Sequence, residues 1–235
     1  MYILGIETST MTGSVAIITE DRLVAEYTLN TKTTHTERLM SAIDHIIITA
    51  SLHIQDIDGI AVGLGPGSFT GLRIGVTTAK SLAYSIQKPI VAIPSLDALA
   101  SQYLFTDLLI CPILDARKRE VYTALYRNTG ASVARVSAYS VIAPEYILRE
   151  IAEPVLFLGD GVFPYRQDIE ITLGQYAHFA DAAHLLPRGS LIAKLGCERL
   201  MAGEHDDCFT LTPLYIRKSD AEIHWEKMNV HQKSA

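Results

Sequence analysis

The chain has few cysteines, and their spacing matches neither a disulfide framework nor a zinc site. Its 235 residues contain three, Cys111, Cys197 and Cys208, with no Cys-x-x-Cys pair among them. An odd number of cysteines without paired spacing is typical of a protein kept in a reducing compartment. We therefore expect a cytoplasmic location.

The chain also lacks an excess of positive charge and any long apolar run. Its formal net charge of −6 argues against a freestanding basic surface for nucleic acid, although an acidic subunit can join a complex that binds RNA. Glycine and proline interrupt the apolar runs, which are too short to span a membrane. The N-terminus has no basic segment and does not predict a signal peptide. An apolar content of 49 % is sufficient for one large domain or two compact lobes.

The most informative segment is a turn rich in glycine and proline within residues 59–81, GIAVGLGPGSFTGLRIGVTTAKS. The pattern predicts a buried strand, the turn, and a helix that begins near Thr70 with Ser68 able to cap it. Gly65 and Gly67 allow the backbone to approach a neighbouring group closely. The spacing fits neither the Walker A motif nor G-x-G-x-x-G. Two interpretations stay open: a turn that binds an anion at the helix N-terminus, or a purely structural turn.

The helix after this turn has a face of small residues. These residues recur at spacings of three and four: Gly71, Gly75, Thr78 and Ala79. Such a face allows another element to approach the helix closely. It is equally compatible with packing inside the chain and with docking of a partner helix.

The order of elements predicts an α/β fold made of two similar lobes. Residues 1–104 indicate three strands, a helix over about 37–50 that begins with the capping-box pair Thr34 and Glu37, then strand, helix, strand and helix. Residues 105–235 repeat three strands, a helix and a strand, followed by a further helix and an extended tail. The repetition suggests a duplicated lobe with a boundary near residue 104.

Charged residues at strand ends are the candidates for chemistry. Glu7 ends the first strand and is either a carboxylate of a cleft or the acceptor of a turn hydrogen bond with Ser9 or Thr10. Asp115 and Arg117 lie at the matching strand end of the second half, where an aspartate can orient Mg²⁺ or water and an arginine can hold a phosphate. The alternative is a charged turn closed by an Asp115–Arg117 contact.

Other polar clusters do not predict a catalytic site. Ser68 lies in Gly-Ser-Phe-Thr-Gly, which is not the Gly-x-Ser-x-Gly elbow of hydrolases. Residues 205–208, His-Asp-Asp-Cys, lack the ligand spacing of a zinc site and favour a solvated loop. In the tail, Tyr215, Arg217 and Trp225 form either an edge that contacts a partner or tRNA, or an extended segment packed on the second lobe.

Five segments together resemble a known family. They are ILGIETST, THTERLM, GLGPGSFTGLRIGVTTAKSLA, ILDARKREVY and PLYIRKSDAE, and they extend over nearly the whole chain. By these segments the chain resembles the bacterial TsaB (YeaZ) family of the actin-like (ASKHA) superfamily. The resemblance implies two ribonuclease-H-like lobes, each with a mixed five-stranded sheet and flanking helices.

The resemblance also implies a role without catalysis. Members of this family take part in threonylcarbamoylation of adenosine 37 in tRNAs that read codons beginning with A. They pair with the catalytic paralogue TsaD, engage the ATPase TsaE and meet tRNA indirectly through the complex. On this basis we expect no cofactor on this chain, with ATP, Mg²⁺ and the metal held by the partner.

Two departures from the TsaD pattern favour the non-catalytic interpretation. Residues 93–99 contain no histidine where TsaD has the His-x-x-x-His pair that holds its metal. Thr10, Met11 and Thr12 stand where TsaD has acidic residues after its first strand. Both departures remove ligands, so the pattern indicates a degenerate paralogue.

The rival interpretation is an enzyme of the same superfamily. It would be an ATP-dependent transferase or kinase that uses Glu7 and Asp115 across a cleft. The remaining candidates for residual nucleotide contacts are Ser9, Gly65, Gly67 and Arg117.

The partner surface is expected on the two long helices of the first lobe. The predicted contact residues are Leu39, Met40, Ile43, Ile47, Gly71, Leu72, Gly75, Val76, Ala79 and Leu82. Without TsaD the same faces would pair as a homodimer, because an exposed apolar patch of that size is unfavourable in water. The substitution Gly75→Arg is expected to leave the lobe folded and to abolish association.

Overall fold

The first half of the chain forms a mixed five-stranded sheet with three helices, in a computed structural model that describes residues 1–31 and 35–217. The elements are β1 (Ile3–Glu7), β2 (Thr12–Ile18), β3 (Leu23–Asn30), α1 (His35–Thr49), β4 (Gly59–Gly65), α2 (Phe69–Ile86), β5 (Ile90–Pro94) and α3 (Ser95–Ser101), with a 3₁₀ turn at Ile54–Asp56. The strand order is β3-β2-β1-β4-β5. The predicted order of strands and helices in this half is confirmed. Thr34, the predicted cap of α1, lies outside the described residues.

The second half repeats this arrangement. Its elements are β6 (Leu109–Asp115), β7 (Val121–Thr123), β8 (Tyr126–Asn128), β9 (Val133–Arg135), β10 (Ser140–Ile142), α4 (Pro144–Glu150), β11 (Val155–Leu158), α5 (Val162–Leu173), β12 (Ala177–Phe179) and α6 (Gly189–Met201), with a 3₁₀ turn at Gly174–Tyr176. The path β10-β7-β6-β11-β12 has the same two antiparallel and two parallel pairings as the first sheet. The strands β8 and β9 add a ribbon, so this sheet has seven strands rather than the predicted five.

The central strands are apolar because helices cover the sheet on both faces. The residues of β1 are all buried, and β4 and β5 each have a single half-buried position. Strands buried on both faces have continuous apolar runs instead of an alternating pattern. The outer strand β3 has no buried position, and its exposed and half-buried residues carry the polar side chains. Among the helices of the described residues, none is both long and apolar enough to cross a membrane.

The two lobes exchange helices. Leu96 and Leu99 of α3 pack in the second-lobe core with Ile110 and Leu114. In return, α6 lies on the first sheet, where Ile192 packs with Ile3, Ala61 and Val91. The prediction that the second lobe contains everything from residue 105 to 235 is therefore wrong for α6, which covers the first-lobe sheet. Close approach of α6 explains the glycine in β1, because a Cβ atom on Gly5 would overlap the carbonyl oxygen of Gly189.

The small residues of α2 face the chain's own sheet. At Gly75 the helix lies so close to Thr8 that a Cβ atom on Gly75 would overlap Oγ1 of Thr8. The Thr8 hydroxyl also donates a hydrogen bond to the carbonyl oxygen of Gly71 at 2.8 Å. Of the two interpretations of this face, packing inside the chain is the observed one. We therefore expect Gly75→Arg to disrupt the first lobe itself, which replaces the expectation that it leaves the lobe folded.

Most of the predicted partner-contact residues are buried in the first lobe. Eight of them face inward: Leu39, Ile43, Ile47, Gly71, Leu72, Gly75, Val76 and Ala79. The interface prediction is corrected for these eight, because they are already buried within the folded first lobe. Of the remaining two, Met40 is 52 % exposed and Leu82 is half-buried. The apolar periodicity identified the inner faces of α1 and α2.

The segment after α6 runs back along α2. The ammonium group of Lys80 donates to the carbonyl oxygens of Phe209 and Leu211, at 3.2 and 2.9 Å. The amide of Leu214 then donates to the carbonyl oxygen of Leu64 at the end of β4, at 2.9 Å. As far as Leu214, the predicted extended tail is thus an irregular strap on the first lobe. Trp225 lies outside the described residues.

Candidate functional site

A cleft of about 460 Å³ lies between the lobes, at the carboxyl ends of β1 and β6. The first lobe lines it with the loop after β1 and the glycine turn, and the second lobe lines it with the loops after β6 and β11. The lining residues are Ser9, Thr10, Met11, Gly67, Ser68, Phe69, Asp115, Ala116, Arg117, Tyr122, Asp160, Leu214, Tyr215, Ile216 and Arg217. Neither Glu7 nor Gly65 is among them.

Glu7 is a buried structural carboxylate and not a cleft residue. Its Oε1 accepts a hydrogen bond from the amide of Ser9 at 2.6 Å, and its Oε2 accepts one from the hydroxyl of Ser95 at 2.7 Å. Burial raises the pKa of Glu7, and these hydrogen bonds partly oppose the rise. The position beside it must be glycine, because a Cβ atom on Gly63 would lie 2.5 Å from Oε2. The turn interpretation with Ser9 is the observed one.

The glycine turn holds the first-lobe edge of the cleft through its backbone. The amide of Ser68 donates to the carbonyl oxygen of Ser9 at 2.6 Å, and a Cβ atom on Gly67 would overlap that same oxygen. Gly65 has a φ of +96°, which favours glycine, and its peptide bond to Pro66 is cis. The Ser68 hydroxyl accepts from the amide of Gly71 at 3.2 Å and caps α2 as predicted. Two donors at this N-terminus therefore have partners within the chain, which favours the structural interpretation of the turn.

Asp115 and Arg117 form the charged turn that was the alternative to a phosphate site. The amide of Arg117 donates to Oδ1 of Asp115 at 2.8 Å, and the guanidinium lies 3.1 Å from Oδ2. The amide of Asp115 in turn donates to Oδ1 of Asp160 at 3.0 Å. Burial, with a smaller contribution from the Asp115 charge, raises the pKa of Asp160 to about 6. The two carboxylates line the second-lobe side of the cleft together.

Asp160 is a cleft residue that the sequence interpretation missed. It follows β11 in Gly159-Asp160-Gly161, at the same place in the second lobe as the glycine turn in the first. Gly159 has a φ of +101°, and a Cβ atom on it would overlap the carbonyl oxygen of Ile113. The signal that could have identified Asp160 was the internal duplication, which maps the end of β11 onto the end of β4.

The tail crosses the cleft and contacts both lobes. The Tyr215 ring packs 4.9 Å from the Phe69 ring, and its hydroxyl accepts a hydrogen bond from Nε of Arg73 at 3.1 Å. Two residues further on, Arg217 donates to a carboxylate oxygen of Glu120 at 2.9 Å and to the carbonyl oxygen of Ala116 at 2.7 Å. Of the two interpretations of the tail, neither anticipated that it bridges the lobes.

The region that holds the metal in TsaD has a different role here. Asp97, the carboxylate of residues 93–99, accepts hydrogen bonds from the hydroxyls of Tyr126 and Tyr139 at 2.6 and 2.7 Å. Its oxygen therefore ties α3 to the second lobe. Within residues 1–31 and 35–217, histidine, cysteine, aspartate and glutamate form no group of three or more suited to a metal ion. At residues 205–208, Asp206 accepts from the amide of Ala92 at 2.7 Å and anchors the loop.

Two equivalent lobes that exchange helices around a shared cleft define the actin-like fold. The solved activator of 2-hydroxyisocaproyl-CoA dehydratase from Clostridium difficile aligns with a TM-score of 0.54 at 10 % identity, and the alignment covers 88 % of this chain and 99 % of that one. At this identity the likeness shows the fold alone.

The chain belongs to the TsaB (YeaZ) family. A family model described as "TsaD: tRNA N6-adenosine threonylcarbamoyltransferase" matches residues 22–225. The chain is similar to the "tRNA threonylcarbamoyladenosine biosynthesis protein TsaB" of Bacillus subtilis, with 40 % identity over 96 % of this chain and 98 % of that protein. The protein of the same name from Escherichia coli is 27 % identical over 97 % and 98 % of the two chains. The solved structure of YeaZ from Pseudomonas aeruginosa aligns with a TM-score of 0.78 at 27 % identity, over 91 % and 99 %. The resemblance indicated by the five segments is confirmed.

Proposed function

We propose that this chain is the non-catalytic subunit of a cytoplasmic complex that threonylcarbamoylates adenosine 37 of tRNA. In this proposal it pairs with TsaD, and the pair engages TsaE, while ATP, Mg²⁺ and the metal stay on the partner. The role in threonylcarbamoyladenosine biosynthesis comes from its TsaB relatives. The non-catalytic part of the proposal rests on one observation. At the first-lobe edge of the cleft, the carboxylate of Glu7 is buried and accepts hydrogen bonds from Ser9 and Ser95.

The geometry of the cleft supports this proposal in three ways. The loop after β1 has Thr10, Met11 and Thr12 where a carboxylate would be needed to hold Mg²⁺. The backbone of the glycine turn is packed against Ser9 rather than open toward the cleft. The tail segment 214–217 lines the space in which a ligand between the lobes would lie.

Because most of the residues first predicted to contact the partner are buried, we propose that the partner surface is the outer face of α2. This face consists of uncharged residues at helical spacing that are exposed or half-buried: Thr70, Ile74, Thr77, Ser81 and Ser85. On α1, Met40 and Ile48 are 52 % and 66 % exposed. A helix face with short side chains and no charge allows a second helix to pack closely without desolvating an ion. We place the contact with TsaD here, and the homodimer of the isolated chain on the same face.

The substitution Thr77→Arg tests this surface. Thr77 is exposed in the middle of α2, so arginine is compatible with the folded lobe, but its guanidinium would lie in the helix contact. The expected result is loss of co-elution with TsaD and loss of tRNA modification in a mixture that also contains TsaE and ATP. The matched control is Gln167→Arg, at an exposed position of α5 on the other lobe, which should retain both. Co-elution of Thr77→Arg with TsaD in wild-type amount would show that the surface lies elsewhere.

The rival proposal is an ATP-dependent transferase, and one observation favours it. Asp115 and Asp160 both line the cleft, and carboxylates are ligands that a divalent cation such as Mg²⁺ uses. In this proposal the isolated chain binds Mg-ATP and loses binding in Asp115→Ala. Glu7 has no part in it, because its carboxylate does not reach the cleft.

A further inference from the structure

The cleft is bordered by a concentration of positive charge in an acidic protein. Three consecutive cations, Arg117, Lys118 and Arg119, are exposed on the turn between β6 and β7. Arg217 of the tail contacts the base of that turn, and Arg73 of α2 lies across the cleft on Phe69. These five cations, the cationic rim, face three carboxylates of the same region: Asp115, Glu120 and Asp160. The five cations outnumber these three carboxylates, although the whole chain has a formal charge of −6.

The backbone holds the three consecutive cations outward. Arg117, Lys118 and Arg119 have φ values of 60°, 54° and 62°, a left-handed conformation that is unfavourable for residues with a Cβ atom. Two hydrogen bonds of 3.0 Å close the turn at its base. The amide of Ala116 donates to the carbonyl oxygen of Glu120, and the amide of Glu120 donates to the carbonyl oxygen of Arg117. Backbone in sparsely populated conformations is concentrated at functional sites.

An aromatic platform lies beside the rim. The rings of Phe69 and Tyr215 pack at 4.9 Å with an angle of 33° between their planes, and Tyr215 is 41 % exposed. The guanidinium of Arg73 lies 3.9 Å from the centroid of the Phe69 ring. Aromatic rings next to cations are the combination that proteins use to bind single-stranded RNA, with stacking on bases and charge pairing with phosphates.

We propose that the cationic rim and the Phe69–Tyr215 platform contact RNA directly. This inference rests on the proposed function, because the substrate of the complex would be the tRNA that supplies this RNA. The rim supplies positive charge, whereas the chain as a whole is acidic. An RNA strand that lies across the rim would touch both lobes. The resemblance implies that this chain meets tRNA indirectly, through the complex. The present proposal adds a direct RNA contact on the chain itself.

Neutralising two rim cations tests the contact. Lys118→Gln with Arg119→Gln removes two charges but leaves Arg117, Arg73 and Arg217 in their observed contacts. The matched control is Arg22→Gln with Arg149→Gln, two exposed arginines in the β2–β3 turn and on α4. Both doubles are combined with TsaD, and binding of fluorescently labelled tRNA is measured by anisotropy at several salt concentrations. Co-elution with TsaD is measured on the same samples.

The expected result is a change in salt dependence. Losing two phosphate contacts lowers the magnitude of the slope of log affinity against log salt by about 1.4–1.8 and weakens binding roughly tenfold at low salt. The control double and partner co-elution should match wild type. An unchanged slope in the rim double would overturn the RNA contact. Loss of TsaD binding in the rim double would also overturn it and assign the rim to a protein partner. Failure of the wild-type chain to bind TsaD would contradict the proposed function and not the rim.

Discussion

At the scale of single residues, the two lobes use the same strand-end carboxylate in opposite ways. Glu7 and Asp115 each end the first strand of a lobe, next to a glycine turn on the neighbouring parallel strand. The longer side chain of Glu7 folds back under its turn, where Ser9 and Ser95 satisfy both oxygens. Asp115 instead stays at the cleft surface and pairs with Arg117. The duplicated position is therefore buried and structural in the first lobe, whereas in the second lobe it forms a charged turn at the surface of the cleft.

Asp160 yields a prediction on stability. Its pKa in the folded chain is about 6, above the ordinary value of 3.8, so the folded state binds the proton more tightly than the unfolded state. Between about pH 4 and 6 the free energy of unfolding falls as pH rises. Asp160→Asn removes this cost, and the amide oxygen can still accept from the amide of Asp115.

We expect Asp160→Asn to raise the free energy of unfolding at pH 7.5 by roughly 1–3 kcal/mol and to have little effect at pH 4. Denaturant titrations at the two pH values measure the difference. An equal effect at both values would show that the carboxylate charge is not its origin.

At the scale of elements, α6 joins the lobes through a polar anchor on β3. The amide and hydroxyl of Ser190 donate to Oε1 of Glu26, at 3.1 and 2.7 Å, and Nε of Arg188 donates to Oε2 at 3.0 Å. One carboxylate, on a side chain that is 7 % exposed, thus accepts from the first turn of the helix and from the arginine before it. A negative charge at a helix N-terminus is also favourable toward the helix dipole.

Glu26→Ala should destabilise the chain by about 1–3 kcal/mol, because it leaves the half-buried donors of Arg188 and Ser190 without their acceptor. Hydrogen exchange should increase in α6 and in the first sheet beneath it. The control is Glu153→Ala, which removes a surface pair with Arg127 that is 43–45 % exposed and should change stability little. If the two variants melted at the same temperature, the anchor would contribute nothing.

Most of the elements could be predicted from the sequence, but α5, β12 and the long-range packing could not. Apolar periodicity located β1 to β5 and the helices α1, α2 and α6, because burial is a local property of each pattern. The small residues of α2 were correctly grouped on one face, yet small residues suit any close contact, and only the structure shows Thr8 opposite Gly75. The placement of α6 on the first sheet and of residues 214–217 across the cleft depends on contacts between residues far apart in sequence.

At the scale of the whole molecule, a duplicated lobe has kept the actin-like cleft while its edges have taken structural roles. Exchanged helices tie the lobes together at the base, and the tail ties them at the mouth through Leu214, Tyr215 and Arg217. Two of the exposed surfaces of the described residues are the uncharged face of α2 and the cationic rim. We propose both as surfaces for partners, which is why we assign the chain a supporting role in the complex.

The most direct test of this assignment is calorimetric titration of the isolated chain with Mg-ATP and with TsaD, together with a tRNA modification assay. We predict binding of TsaD, no binding or turnover of Mg-ATP, and modification by TsaD and TsaE only when this chain is present. Micromolar binding of Mg-ATP with turnover, lost in Asp115→Ala, would contradict the assignment and establish the second-lobe carboxylates as a catalytic centre.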